Sequence, residues 1–530
     1  MPDHTVDAVV IGGGPNGLVA AAALADAGWD VLLVEAAEQV GGAVHSAEVA
    51  APGFVTDLYS SFYPLAAASP VIRDLGLEAY GLTWRRAPAV LAHALDDGRA
   101  VVLHDRAEDT AASVEQFAPG DGEAWLRLFE AWRRIRDPFL DALFTPFPPV
   151  RAASRLLRGL GISGGLDLTR LALLPARRLA EEHFAGEGAA LLITGNSLHS
   201  DLGPDAAGSG LFGWLLAMLG QEVGFPVPEG GSGRLARALR DRAAAAGARV
   251  ECGVAVTSVQ IRGGRATGVR LADGRTVRCR RAVLADVPAP ALYGELVGSQ
   301  HLPARFVTDL RHFQWDNATV KVNWALDAPI PWRAPAVAEA GTVHLGADSD
   351  GFVEYAAQLA LRRPPVRPFL LLGQTTTADP TRSPAGTESA WAYTHVPHGL
   401  SSEAVDAQVE RVEDTVERMA PGFRDLWRGR HLQSPADLEA HDANLVGGAL
   451  NGGTAALHQQ LVFRPTRGLG RAETPVEALY LASASAHPGG GVHGACGWNA
   501  ASAALRANGR LGMVRRALVR TAWDRVLRDA

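Results

Sequence analysis

Val6-Asp-Ala-Val-Val-Ile-Gly-Gly-Gly-Pro-Asn-Gly17 decides the fold. Val6 to Ile11 is a short apolar run, the size of a strand buried on both faces. Gly12-Gly13-Gly14-Pro15-Asn16-Gly17 follows at once, then the Ala/Leu-rich stretch Leu18 to Ala27, a strong helix former stopped by Gly28. A second apolar run, Val31 to Val34, ends in Glu35. This is a βαβ unit with G-x-G-x-x-G between strand and helix. Gly12 allows the tight turn, Gly14 lets backbone approach a pyrophosphate, and Gly17 lets the helix pack on the strand. The helix N-terminus, opened by Pro15 and Asn16, offers free N–H groups from Asn16 onward and a positive dipole end to phosphates. Glu35 stands where a carboxylate accepts from a ribose hydroxyl. The unit therefore predicts an α/β, Rossmann-like domain that binds a dinucleotide.

The chain around it has 530 residues, three or four units at roughly 150 residues per domain. It is 47% hydrophobic and 20% charged, enough for a large core. A net charge of -7 argues against a nucleic-acid binder, which needs a basic face. No apolar run reaches about 18 residues, the length of a spanning helix. The N-terminal stretch lacks the basic region and cleavage site of a signal peptide. Cys252, Cys279 and Cys496 form no CxxC, which excludes a zinc ribbon and a dithiol motif. The expectation is a cytoplasmic, reduced protein.

Further along, residues 226–250 read as a Gly turn feeding a helix, Leu235 to Ala246. Strands follow at Val250 to Val256, Val259 to Arg262, Ala266 to Leu271, Thr276 to Cys279 and Ala282 to Ala285, with hairpin turns at Gly263-Gly264 and Asp273-Gly274. Near the end, the strand Ala478 to Ala482 runs into His487-Pro-Gly-Gly-Gly-Val-His-Gly-Ala-Cys-Gly-Trp-Asn499 and an Ala-rich helix, a second Gly loop at a helix N-terminus. Gly208, Gly210 and Gly213 also spell G-x-G-x-x-G, but no strand precedes them, so they predict no nucleotide site and no separate NADPH domain.

Gly41-Gly42, just past Glu35, resembles the extended fingerprint of flavoproteins of the glutathione-reductase and amine-oxidase groups, which points to FAD rather than NAD. The His-Pro-Gly-Gly-Gly-Val element resembles the C-terminal flavin signature of carotenoid desaturases. The chain as a whole resembles the phytoene-desaturase-like flavoproteins of the amine-oxidase superfamily. Residues 209–231 and the NLVGG…RP pattern at 444–465 resemble one branch most, the pyridine nucleotide-disulfide oxidoreductase domain-containing protein 2 type, whose substrates are poorly defined. The resemblance implies a discontinuous FAD-binding domain (1–75, 225–290 and 470–508), an interleaved α+β substrate domain (76–224 and 291–469) and a basic C-terminal helix (509–530). It implies that Val254 meets the adenine through its backbone amide, and that Gly490, Gly491, Val492 and Asn499 face the flavin end. The departures are His493, where desaturases usually carry Pro, and Ser483 and Ser485, where the preceding strand usually ends in Gly.

Chemistry falls to a few side chains. Lys321 is the single lysine of the chain, in Ala318-Thr-Val-Lys-Val-Asn-Trp-Ala-Leu326, where alternation puts it on one strand face with Thr319 and Asn323. Related flavin oxidases carry a lysine on a comparable strand whose ammonium holds a water at flavin N5, a role arginine cannot take. His487 and His493 flank the flavin loop as acid/base candidates, with His493 expected to bond its own loop. Cys496 reads as a small buried thiol, and Tyr59, Tyr63 and His199 as pocket residues. Apolar stretches Trp125 to Ile135, Leu156 to Leu160, Leu166 to Leu174 and Leu211 to Leu219 read as packed helices, the alternative being a lipid-facing entrance. Arg506 to Ala530 carries seven Arg and an apolar face of Leu511, Val514, Leu518 and Val519. It either packs on its own domain or touches an anionic membrane peripherally.

The functional expectation is an FAD-dependent dehydrogenase or desaturase of a hydrophobic or polycyclic small molecule, with oxygen or a quinone as acceptor. The alternatives are an oxidase of amines using Lys321, a redox-neutral carotenoid-type isomerase, and a flavin-free binding protein of the Rab-escort kind, which the retained glycine fingerprint disfavours.

Overall fold

The computed structural model describes residues 4–528. Its first sheet is built outward from His4–Ile11, which pairs in parallel with Val31–Val34 on one side and Thr276–Ala285 on the other. All four residues of Val31–Val34 are buried, which is why the run carries no polar residue. Arg249–Glu251 extends this edge in parallel, and an antiparallel hairpin, Val256–Arg262 with Arg265–Leu271, closes the other.

Two strand expectations are corrected. Thr276–Cys279 and Ala282–Ala285 are one strand, Thr276–Ala285, whose first half pairs with Arg265–Leu271 and whose second half pairs with Leu479–Leu481. The polar pair left between the two expected strands is Arg280 and Arg281, whose guanidinium groups sit 2.9 and 3.3 Å from Asp7. The expected strand Val250 to Val256 breaks after Glu251, because Gly253 turns with φ +77° and the next strand starts at Val256.

The second sheet has the order Trp427–Gln433, Ala318–Leu326, Glu388–Val396, Leu370–Gln374, Ala340–Leu345, Ala89–Ala94, Ala100–Leu103. Ser402–Met419 lays Val405, Val409, Val412 and Val416, an i, i+4, i+7, i+11 row, on the core that holds Val320 and Val322. The opposite face of Ala318–Leu326 carries Thr319, Lys321 and Asn323 as the alternation requires, yet it is buried too.

Helices Asp121–Phe144, Glu187–Leu198 and Ser209–Val223 pack around Trp125, Trp132 and Trp214, the last two edge to face at 5.4 Å. Gly213, part of the second glycine pattern, serves this packing: a Cβ there would lie 2.2 Å from the Ile193 carbonyl oxygen. The segment Val150–Leu171, kinked at Gly161, follows the packing expectation on one side: Leu156, Leu160, Leu168 and Leu171 are partly buried against the core. Only Ala152 is buried, while Leu157, Ile162 and Leu166 are 56%, 86% and 67% exposed. The C-terminal helix Gly512–Val526 docks through Trp523, 5.8 Å from the Phe306 ring, with Val519 packed nearby. Leu511, Val514 and Leu518 of its expected apolar face remain exposed. No helix among the described residues is long and apolar enough to cross a membrane.

Candidate active site

At the carboxyl end of the first sheet, backbone meets backbone too closely for side chains. Gly12 has φ +92°, and a Cβ there would lie 2.7 Å from the Asp286 carbonyl oxygen. A Cβ on Gly17 would lie 2.1 Å from the Gly12 carbonyl oxygen. Gly14 caps the helix Pro15–Asp26, with Pro15 at its first position, where the missing N–H costs nothing. The Gly41 N–H donates to the Gly13 carbonyl at 2.9 Å, and Gly42 (φ +51°) faces Gly14. The expected glycines thus form one cradle. A second helix N-terminus joins it: in Ala495–Ala507, a Cβ on Gly497 would lie 1.9 Å from the Asn16 carbonyl oxygen.

Three carboxyls surround this cradle. Glu35 accepts from the Gly13 N–H at 2.5 Å and the Ala37 N–H at 2.8 Å. Asp286 accepts from the Gly17 N–H at 2.8 Å. Burial pushes Asp286 up to about 7, with repulsion from Asp442 and Glu35 adding to it. Burial likewise pushes Asp442 up to about 6.

Beyond the cradle lies a cavity of about 260 Å³. Tyr59, Tyr63 and His199 line it as expected, with Leu216, Trp391 and Tyr393 from the substrate-side helices and sheet. Gly490, Gly491 and Val492 of the second glycine loop close its other side. The expected site residues therefore converge from both ends of the chain.

Four expected residues do other work. The Val254 amide donates to the Glu35 carbonyl at 3.1 Å, so it is already engaged rather than free for an adenine. Asn499 turns its amide away from the loop and donates to the Phe144 carbonyl at 3.1 Å. His487 is buried, bonds the Thr145 carbonyl at 3.2 Å and does not line the cavity. Burial lowers it to about 4, so it stays neutral. Lys321 is buried behind the lining, where its ammonium donates to the carbonyls of Asp57 and Tyr59 and lies 5.0 Å over the Trp391 ring. Burial lowers it to about 7, against the pull of Asp57. The Asp57 carboxylate is spent on Arg382 at 2.9 Å, a fully buried pair. His493 accepts from the Ala495 N–H at 3.0 Å, and the buried Cys496 thiol is pushed up to about 12 by burial.

Two residues escape sequence reasoning. Arg464 is buried and donates to five carbonyls: Asn451, Gly452, Gly453 and Thr454, and Ala484 at the base of the glycine loop. Its one signal is the Arg-Pro of the 444–465 pattern. Gly497 stands within the quoted loop, but nothing in the local sequence shows what lies across from it.

The family of flavin containing amine oxidoreductases matches residues 16–505. The chain belongs to that family. A rat protein, pyridine nucleotide-disulfide oxidoreductase domain-containing protein 2, is 30% identical over 94% of this chain and 93% of its own. One component of the limonene dehydrogenase of Castellaniella defragrans is 24% identical over 93% of each chain. In fold, the chain is similar to cyclohexylamine oxidase from Brevibacterium oxydans, with a TM-score of 0.57 at 17% identity over 95% of this chain and 99% of that one. As a member of this flavin family it is an oxidoreductase, and its cofactor is FAD. The cradle fits that cofactor: its glycines leave room that any Cβ would fill, the first turns of two helices border it, and the Glu35 carboxylate lies against Gly13.

Proposed function

We propose that the protein dehydrogenates or desaturates a neutral, hydrophobic organic substrate, with oxygen or a quinone as final acceptor. Bound FAD supplies the hydride acceptor at N5. The observation that carries the reading is the cavity lining, which contains no Asp, Glu, Lys or Arg. A charged amine would have to leave water for this lining with no carboxylate to pair it. An apolar molecule gains by entering it, at about 25 cal/mol per Å² buried. Its volume, below the range of roughly 300–1,000 Å³ common for ligand pockets, favours a compact substrate. The names of two relatives, a limonene dehydrogenase and a phytoene desaturase (lycopene-forming), point the same way.

The test mixes the flavin-loaded protein anaerobically with neutral cyclic and open-chain terpenes, both hydrocarbons and their alcohols and ketones, and separately with putrescine and cyclohexylamine. The terpenes should bleach the flavin absorbance and the amines should not. Bleaching by the amines alone would overturn the reading. Terpene turnover without bleaching would identify an isomerase.

A second reading, an oxidase aided by Lys321, is favoured by the position of its ammonium directly behind Tyr59 and Trp391. A cation there would stabilise the negative charge that reaches oxygen. After photoreduction and aeration, Lys321→Met should reoxidise at least about tenfold more slowly than wild type. An unchanged rate would leave Lys321 as a strut for the 57–59 segment.

For partners, we read peripheral contact with an anionic bilayer. The exposed Leu157, Ile162 and Leu166 beside Arg151 and Arg158, together with the exposed Leu511, Val514 and Leu518, support it. Sedimentation with phosphatidylglycerol vesicles should fall by about tenfold in an Ile162→Glu, Leu166→Glu double variant. Equal sedimentation of the two proteins would refute the contact.

A further inference from the structure

Away from the flavin loop, the cavity wall contains a pair of histidines. His199 follows the helix Glu187–Leu198 and lines the cavity, and its Nε2 lies 2.8 Å from Nε2 of His344. His344 is fully buried on the strand Ala340–Leu345, its ring closed in by Gly195, where a Cβ would lie 2.2 Å from His344 Nδ1.

The partners assign the tautomers. His344 Nδ1 is buried and has no hydrogen-bond partner among the described residues. A bare ring nitrogen tolerates that better than a stranded N–H, since orphaned buried donors are rare. The His344 proton therefore belongs on Nε2, which donates to Nε2 of His199. His199 must then carry its own proton on Nδ1. With Nε2 taken by His344, Nδ1 is the nitrogen that this cavity-lining ring has left for a ligand. The neighbours do not invite a second proton: burial, with His395 adding repulsion, lowers His199 to about 3.

We propose that His199, oriented by His344, donates a neutral N–H hydrogen bond to an oxygen atom of the substrate. The substrate would then be an apolar body bearing a carbonyl, hydroxyl or ether oxygen, not a pure hydrocarbon. The inference rests on the neutral-cavity reading above. His199 is a binding residue in this account and His344 a positioning residue.

The probes are 4-tert-butylcyclohexanone and its exocyclic-methylene analogue, which share a shape and differ in one acceptor oxygen. Binding to the oxidised holoprotein is followed by calorimetry and by the flavin difference spectrum. Wild type should prefer the ketone by about tenfold, the worth of one hydrogen bond. His199→Phe should bind both probes alike, and His344→Leu should lose most of the preference. Equal binding of both probes by wild type, or a preference that survives in His199→Phe, would overturn the hydrogen bond alone. Binding of neither probe would overturn it together with the neutral-cavity reading.

Discussion

Gly497→Ala is expected to give a colourless protein. Its Cβ would stand 1.9 Å from the carbonyl oxygen of Asn16 and 2.7 Å from the carbonyl carbon, both backbone atoms of the other helix N-terminus. No rotamer change relieves that overlap, so the helices Pro15–Asp26 and Ala495–Ala507 must part. Their first turns bound the glycine cradle, and parting them moves its N–H groups off any phosphate. Overpacking of this kind costs about 1–3 kcal/mol of stability. Flavin affinity should fall by at least about 100-fold, near 3 kcal/mol. The ratio of flavin to protein absorbance, before and after incubation with excess FAD, measures it. Gly159→Ala is the control, because a Cβ there meets nothing within 4 Å. Full flavin occupancy in Gly497→Ala would refute the cradle as described.

The second large effect is expected at Arg464. Its Nη1 donates to Thr454 at 2.8 Å, and its Nη2 donates to Ala484 at 2.7 Å and Asn451 at 3.1 Å, with further contacts at Gly452 and Gly453. Burial lowers this guanidinium to about 10, so it remains charged at neutral pH. Arg464→Leu would strip the guanidinium from all five carbonyls, with Ser485 still donating to Gly452 and Gln460 to Thr454, and breaking a buried polar cluster from one side costs about 3–5 kcal/mol. The flavin-detected melting temperature should fall by roughly 5–10 °C. Arg464→Lys keeps the charge but lacks the planar fork, and should recover only part of the loss. A drop of under about 2 °C in Arg464→Leu would refute the anchoring role.

Much of the cofactor end was readable because its determinants are local. Gly12 to Gly17, Glu35 and Gly41-Gly42 lie within one βαβ stretch, and each glycine answers a backbone constraint set by its near neighbours. The strand ends were less readable. Arg280 and Arg281 looked like a gap between two strands because their partner, Asp7, lies on a neighbouring strand about 270 residues away in sequence. The cavity was harder still, since Tyr59, His199, Trp391 and Val492 meet only after four distant segments assemble. The kinked segment Val150–Leu171 shows the limit of periodicity, because apolar spacing alone does not separate Leu156 and Leu160, which pack on the core, from Leu157 and Leu166, which are exposed. His487 was drawn to the flavin by its motif, yet its ring is held by Thr145, a residue no motif contains.

Lys321 has a consequence outside chemistry at the flavin. The only lysine of the chain is 3% exposed, so no lysine ammonium is displayed to solvent. Leaving aside the chain terminus, the folded surface offers no primary amine to acylating reagents or to enzymes that modify lysine. Such a reagent can reach Nζ only when the strand Ala318–Leu326 separates from the Asp57 to Tyr59 segment. The extent of labelling at that one residue therefore reports, without any engineered probe, how often this part of the native structure opens.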